Sequence, residues 1–354
     1  MIDAAAAFTG TKPVEARFAL DEARLAEWMA ANVPGFAGPL SLSQFKGGQS
    51  NPTYRLATRG HAYVLRRKPS GTLLQSAHAV DREYRAIAAL HAAGFAVARP
   101  HALCLDEGVI GAVFYIMDEV VGRVLWDGAL PGFTPGERRA AYTSEIETLA
   151  RLHGYDPEAI GLGDYGRPGN YMARQVERWT RQYRASATEP RPAMETLIGY
   201  LPGSVPPQER TGIVHGDYRL DNLMFAPHAP RVAAVLDWEL STLGDPLADF
   251  AYMLVQWDMP VDGRAGLGGL DLAALGIPTM AEATAIYCTA TGRDGVPALD
   301  WYFAFSLFRL AAILQGIAGR VRDGTATSPQ AVRMAGLVGP LADAAWRYAG
   351  RAGA

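Results

Sequence analysis

Two apolar runs, each ending in polar residues, constrain this chain more than any other feature. The first is Ile213-Val214-His215-Gly216-Asp217-Tyr218-Arg219-Leu220-Asp221-Asn222-Leu223-Met224-Phe225, where an Asp is followed five positions later by an Asn. The second, Val232-Ala233-Ala234-Val235-Leu236-Asp237-Trp238-Glu239, places Asp237 fifteen residues beyond Asn222. Short apolar runs bounded by polar residues read as buried strands. Either run alone fits a surface loop with a capping Asp. Together, in this order, they predict a rigid polar loop beside a strand end that presents a carboxylate.

Such a set suits phosphoryl transfer. That chemistry needs a carboxylate near the attacking hydroxyl, and oxygen ligands to hold Mg²⁺ against the phosphates of a nucleotide. Asp217 is the candidate for the first task, and Asn222 and Asp237 for the second. A strand end that presents a carboxylate to a hard cation is chemically apt.

The rest of the chain gives those loops two bodies to sit between. At 354 residues it is long for one compact domain, so one large domain or two lobes sharing an interface is expected. Leu20, Leu25, Trp28 and Met29 recur at helical spacing and Pro34-Gly35 ends that segment. The runs 40–45, 53–57 and 62–67 then read as a meander of antiparallel strands. From Ala79 to Ala93 the helical period returns, with Val80, Ile87 and Leu90 on one stripe and Glu83 inside it. A carboxylate on the buried side of a helix is costly without a cation, so Glu83 demands a partner. Strand alternation puts Val64, Arg66 and Lys68 on one face, which makes Arg66 or Lys68 that partner. The run 112–117 reads as a buried strand and 118–122 as a connector. Beyond Gly122 the pattern is mostly helical.

Composition excludes several alternatives. Hydrophobic residues make up 49% and charged residues 19%, against intrinsic disorder. Lys plus Arg number 33 against 36 Asp plus Glu, and neither sign collects in a tail, so no nucleic-acid footprint stands out. Cys104 and Cys288 are far apart in apolar settings, which fits a reducing cytosol and neither a disulfide framework nor a zinc site; no metal-binding cluster of His or Cys stands out, and His91, His101 and His153 read as packed or capping residues and not as ligands. No basic stretch precedes the short alanine run at the N-terminus, so it does not read as a signal peptide. The apolar stretch 301–321 contains Arg309 and Gln315 and reads as a buried helix, not a membrane span. Gly161-Leu162-Gly163-Asp164-Tyr165-Gly166 matches a dinucleotide fingerprint in letters only, because Arg167-Pro168-Gly169 follows it where a helix is required.

The two runs resemble the catalytic loop and metal segment of the aminoglycoside-phosphotransferase and choline-kinase-like families, distant relatives of protein kinases. The resemblance covers most of the chain. It implies an α+β, bilobal protein-kinase-like fold: an N-terminal extension with a helix (1–39), a small lobe with an antiparallel sheet (40–118), a hinge (119–124) and a helical large lobe (125–354). It implies ATP and Mg²⁺ as cofactors, in a cytoplasmic enzyme acting on a small-molecule acceptor, with no nucleic-acid or membrane partner and with monomer or homodimer both open. His215-Gly216-Asp217 stands for the His-Arg-Asp of protein kinases. Gly216 therefore removes the Arg that grips a phosphorylated activation loop, and no Ala-Pro-Glu follows.

The resemblance also assigns Gly47, Gly48, Gln49, Ser50 and Asn51 to the turn over the phosphates, Arg66 with Glu83 to the phosphate clamp, and Met117 and Glu119 to the nucleotide edge of the hinge. Arg66 stands where the family usually carries Lys. Gly244-Asp245-Pro246-Leu247-Ala248-Asp249 matches the family's Gly-Asp-Pro-x-x-Asp, with Asp245 read as a helix cap and Asp249 as a brace for the catalytic loop. With the helix around Phe308-Arg309, the motifs resemble the kinase domains associated with acyl-CoA dehydrogenases and their stand-alone bacterial relatives. This implies a hydroxyacyl-CoA acceptor. Arg309, read as buried, requires either a neighbouring Asp or Glu or an acceptor bearing a carboxylate, thioester or phosphate; Tyr218 is a second acceptor candidate. An aminoglycoside or amino-alcohol kinase, and a nucleotide-binding module without catalysis, are the competing readings.

Overall fold

The computed structural model describes residues 9–46, 51–69, 79–261 and 265–354. The turn residues Gly47, Gly48, Gln49 and Ser50 lie outside them. The small lobe is an antiparallel six-stranded sheet in the order β1-β2-β3-β4-β6-β5. Its elements run β1 (Thr11–Lys12), α1 (Glu22–Asn32), β2 (Ser41–Phe45), β3 (Thr53–Ala57), β4 (Ala62–Arg67), α2 (Val80–Ala92), β5 (Pro100–Cys104) and β6 (Phe114–Asp118). The three strands of the expected meander form where alternation put them. Leu25, Met29 and Val33 pack with Tyr54, Leu56, Leu65, Phe114 and Ile116 in one core, while Val80, Ile87 and Leu90 of α2 join the larger core of the molecule.

The segment expected as an extension is thus corrected. Thr11 pairs with Phe45 in the sheet, and α1 supplies the apolar cover that the small lobe lacks. The expected hinge also shortens, because β7 (Arg123–Val124) already pairs with a strand of the large lobe. Gly122 lies where an added Cβ would come 2.4 Å from the Phe225 carbonyl oxygen, so the connector passes the large lobe at a distance that only glycine permits.

The large lobe holds α3 (Pro135–Gly154), α4 (Tyr171–Ser186), α5 (Pro192–Tyr200), β8 (Gly212–Val214), β9 (Leu223–Phe225), β10 (Val232–Val235), β11 (Thr242–Gly244), α6 (Pro246–Leu254), α7 (Leu272–Leu275), α8 (Met280–Thr291), α9 (Leu299–Arg322), α10 (Pro329–Gly336) and α11 (Val338–Arg351). Helix α3 starts on a capping box, with Thr134 accepting from the Glu137 amide and Glu137 accepting from the Thr134 amide. Helix α9 is long and apolar enough to cross a membrane, but its Trp301–Phe308 run is buried and it packs along α11 and α4. Both cysteines are free and buried.

Candidate active site

Strand pairing brings the two sequence runs together. Leu223 of β9 pairs with Val235 of β10, and the Leu236 amide donates to the Asn222 carbonyl at 2.9 Å. This register sets Asn222 opposite the residue before Asp237. β11 in turn pairs with β8, Thr242 opposite Val214, which fixes the strand leading into the loop. A short 3₁₀ turn over Leu220–Asn222 then folds Asn222 back, so that its amide nitrogen donates to the Asp217 carbonyl at 2.8 Å and to Asp217 Oδ2 at 2.9 Å.

Three donors orient the Asp217 carboxylate. Besides Asn222, Arg219 Nε reaches Oδ2 at 3.3 Å and the Tyr252 hydroxyl donates to Oδ1 at 2.8 Å. Arg219 also pairs with Asp221 at 2.9 Å. Burial pulls the Arg219 pKa down, but Asp217 and Asp221 outweigh it and hold the group above its ordinary value. Tyr252, one turn into α6, was not singled out in the sequence; burial and the Asp217 charge push its phenol well above the usual range.

The loop itself is fixed from beneath. Asp249, buried in α6, accepts the His215 amide, and the Gly216 amide at 2.9 Å. Although burial favours its neutral form, His153, His215 and the Gly216 amide lower its pKa, so Asp249 serves as an anionic brace. His215 Nε2 meets the Leu236 carbonyl at 2.8 Å. Gly216 adopts φ +84, and a Cβ there would lie 2.8 Å from the Leu240 carbonyl oxygen. Conformation and space both demand glycine, an account of this position that does not depend on regulation. Asp245 caps α6 by accepting the Leu247 amide at 3.0 Å, and its other oxygen accepts the Tyr302 hydroxyl at 2.6 Å.

On the opposite wall, Arg66 is the cation that Glu83 requires. Its Nε lies 2.9 Å from Glu83 Oε2, its Nη2 2.6 Å from Asp237 Oδ1, and Glu239 Oε2 is 3.6 Å away. β4 ends at Arg67, so Lys68 lies beyond the strand. Burial disfavours the Arg66 cation, but Glu83 and Asp237 together raise its pKa above the ordinary arginine value. Glu83 is raised by its own burial, against the pull of Arg66. Asn51 donates to Glu239 Oε2 at 3.1 Å, joining the residues ahead of β3 to the segment after Asp237. Asp237 sits in the left-handed region, φ 64 and ψ 65, a strained conformation of the kind that clusters at functional sites. Met117 pairs with Val64 in the sheet. Glu119 accepts Arg55 Nε at 2.8 and 2.9 Å, and its amide donates to Ala62.

Two acceptor-side readings change. Tyr218 is fully buried and its hydroxyl donates to the Glu145 carbonyl at 2.7 Å; it anchors the loop to α3 and faces no acceptor. Arg309 is half-buried and pairs with no carboxylate among the described residues. Its Nη2 donates to the Gly216 carbonyl at 2.5 Å, and its guanidinium lies over the rings of Trp179 and Tyr252, 5.4 and 5.0 Å from their centroids. The π faces and the loop carbonyl meet the charge that an anion was expected to meet.

A two-lobed protein-kinase-like fold, with an oriented Asp–Asn loop facing a carboxylate and an Arg–Glu clamp, defines a phosphotransferase. The chain belongs to the phosphotransferase enzyme family (APH), whose model matches residues 41–285. It is 44% identical over 346 residues to mouse acyl-CoA dehydrogenase family member 10, covering 97% of this chain and 32% of that protein. To human acyl-CoA dehydrogenase family member 11 it is 39% identical, covering 91% and 42%. The chain therefore spans less than half the length of these curated relatives. A crystal structure from Ralstonia eutropha, of a protein provisionally named an aminoglycoside phosphotransferase, is 52% identical with a TM-score of 0.88, covering 94% of this chain and 99% of that one. Aminoglycoside phosphotransferase APH(4)-Ia, solved with ADP and hygromycin B, is 16% identical with a TM-score of 0.59, covering 92% and 98%, and shares the fold.

Proposed function

We propose that this chain transfers the γ-phosphate of ATP to a hydroxyl of a small molecule, a hydroxyacyl-CoA or a related hydroxy acid derivative. The observation that carries the reading is the Asp217 carboxylate, held by Asn222, Arg219 and Tyr252 so that it can orient an acceptor hydroxyl and accept its proton. Asn222 spends its amide nitrogen on Asp217, which leaves its carbonyl oxygen as a hard donor, and Asp237 offers a second. These oxygens suit Mg²⁺ and would hold it. When bound, the ion would neutralise charge on the phosphates. Arg66, braced by Glu83, supplies the protein's own cation on that side, and residues of the phosphate turn and of the Met117–Glu119 strand end would line the nucleotide.

A polycationic aminoglycoside calls for clustered free carboxylates, whereas beside Asp217 the carboxylate of Asp221 is already paired with Arg219. An amino alcohol such as a quaternary amine seeks aromatic faces, but Arg309 already covers those of Trp179 and Tyr252. Similarity to acyl-CoA dehydrogenase family members supports the CoA-linked class. The test is mass spectrometry of hydroxyacyl-CoAs, amino alcohols and aminoglycosides after incubation with Mg-ATP. A phosphate on a hydroxyacyl-CoA is expected. Phosphate on an aminoglycoside alone would overturn the acceptor class, and Mg-ATP binding with no product from any acceptor would favour a non-catalytic module.

A further inference from the structure

Apart from the Asp217 loop and Asp237, one group of three side chains among the described residues brings His, Cys, Asp or Glu donor atoms within 4.8 Å of one another: His61, His101 and Asp118. They come from neighbouring strands, His61 from the turn before β4, His101 from β5 and Asp118 from the end of β6. The sheet order places β6 between the other two. Register explains the convergence. Pro100 pairs with Met117 and Ala102 with Ile116, so His101 is the extra residue of a bulge. A bulge re-aims the side chain it carries, and here the Nε2 of His101 comes 2.5 Å from Asp118 Oδ1. His61 Nε2 reaches the same oxygen at 2.8 Å. The Tyr63 ring lies against both imidazoles, with centroids at 4.3 and 5.3 Å.

We propose that His61, His101 and Asp118 form a divalent transition-metal site, for Zn²⁺ by its ligand chemistry, at the root of the strand that leads into the connector. Two imidazole nitrogens and one carboxylate oxygen are the donor types zinc takes, and three protein ligands leave a fourth position for water. Zinc–nitrogen bonds of about 2.0–2.1 Å in a tetrahedron separate donors by about 3.3–3.5 Å. The nitrogens therefore need to draw back from Asp118 Oδ1 by less than about 1 Å. His61 has the freedom to do so, its side chain being 46% exposed, while His101, at 8%, is the fixed ligand. The ion would tie β4, β5 and β6 together where Glu119 leaves the sheet. This site is separate from Asp217 and Asp237 and does not depend on the proposed reaction.

The test uses the full chain, metal-stripped and without a histidine tag, titrated calorimetrically with Zn²⁺ near neutral pH, with Co²⁺ absorption reporting coordination. One ion per chain is expected, with a visible Co²⁺ band of four-coordinate strength. His61→Ala and His101→Ala should each weaken binding by about tenfold or more, in line with the loss of a first ligand or its support; His228→Ala, an exposed histidine elsewhere, should not. Absence of saturable binding in the wild type would overturn the proposal, as would binding that His61→Ala and His101→Ala leave intact. Asp118→Asn adds a third ligand test only if its melting matches the wild type; otherwise the two histidine variants decide.

Discussion

Replacing Asp217 with Asn tests the catalytic assignment with little structural cost, because the site can accommodate the amide. The amide oxygen can take the place of Oδ2, where Asn222 Nδ2 at 2.9 Å and Arg219 Nε at 3.3 Å are obligate donors. The amide nitrogen then faces Tyr252, whose hydroxyl donates at 2.8 Å in the native site and can rotate to accept. No donor is left facing a donor. Arg219 keeps Asp221 at 2.9 Å. The stability loss reduces to weakening of charge-assisted bonds that are roughly twice as strong as neutral ones, about 1 kcal/mol in total. Chemistry has no such substitute, since an amide cannot take the hydroxyl proton. Loss of a general base lowers turnover about 10²- to 10⁴-fold, or about 2.7–5.4 kcal/mol of barrier. The assay pairs acceptor-dependent ADP release with calorimetric Mg-ATP binding and a melting curve. Turnover within about tenfold of wild type, in a variant that melts normally, would refute the role given to Asp217.

The clamp and the buried acids give two more predictions. Arg66→Met leaves Glu83, whose side chain is 2% exposed, without its cation; urea unfolding should show a loss of about 3–5 kcal/mol. Adding Glu83→Gln should recover a measurable part of it, whereas strictly additive losses would mean the two are not energetically paired. Glu145 is fully buried, and burial pushes its pKa up to about 8. A raised native pKa means the folded chain holds a proton that the unfolded chain releases. This group's contribution to stability is therefore lost as pH rises from the ordinary glutamate range to about 8, at up to about 1.4 kcal/mol per pH unit. Urea titrations across that range should show Glu145→Gln gaining on the wild type as pH rises, and a constant gap would contradict the assignment.

What the sequence disclosed and what it withheld divide along the reach of the interactions. Asp217, Asn222 and Asp237 were legible because their spacing lies within one loop and one hairpin, where strand ends and a short turn leave little freedom. Arg66 with Glu83 was half legible: a carboxylate on the apolar stripe of α2 demands a cation, but only the end of β4 at Arg67 separates Arg66 from Lys68. Tyr218 illustrates the opposite case. Period arguments stop at the end of a strand, and beyond the positive φ of Gly216 it is Tyr218 that turns toward α3. Arg309 misled because a charge inside an apolar helix looks buried, while the rotation of α9 against its neighbours leaves it at the edge of the core. The pairing of Thr11 with Phe45 is long-range and has no local signature.

The Asp217 loop shows how far local legibility can extend when a motif carries its own support. Its carboxylate is oriented by Tyr252 and its backbone by Asp249, and both side chains project from α6. That helix begins at Asp245, which caps it and is fixed in turn by Tyr302 of α9. Gly-Asp-Pro-x-x-Asp therefore encodes a helix start and a brace in six residues, and Tyr252 follows Asp249 by three positions on the same helical face. A tyrosine at that spacing, downstream of a bracing Asp, is the signal from which the missed residue could have been found.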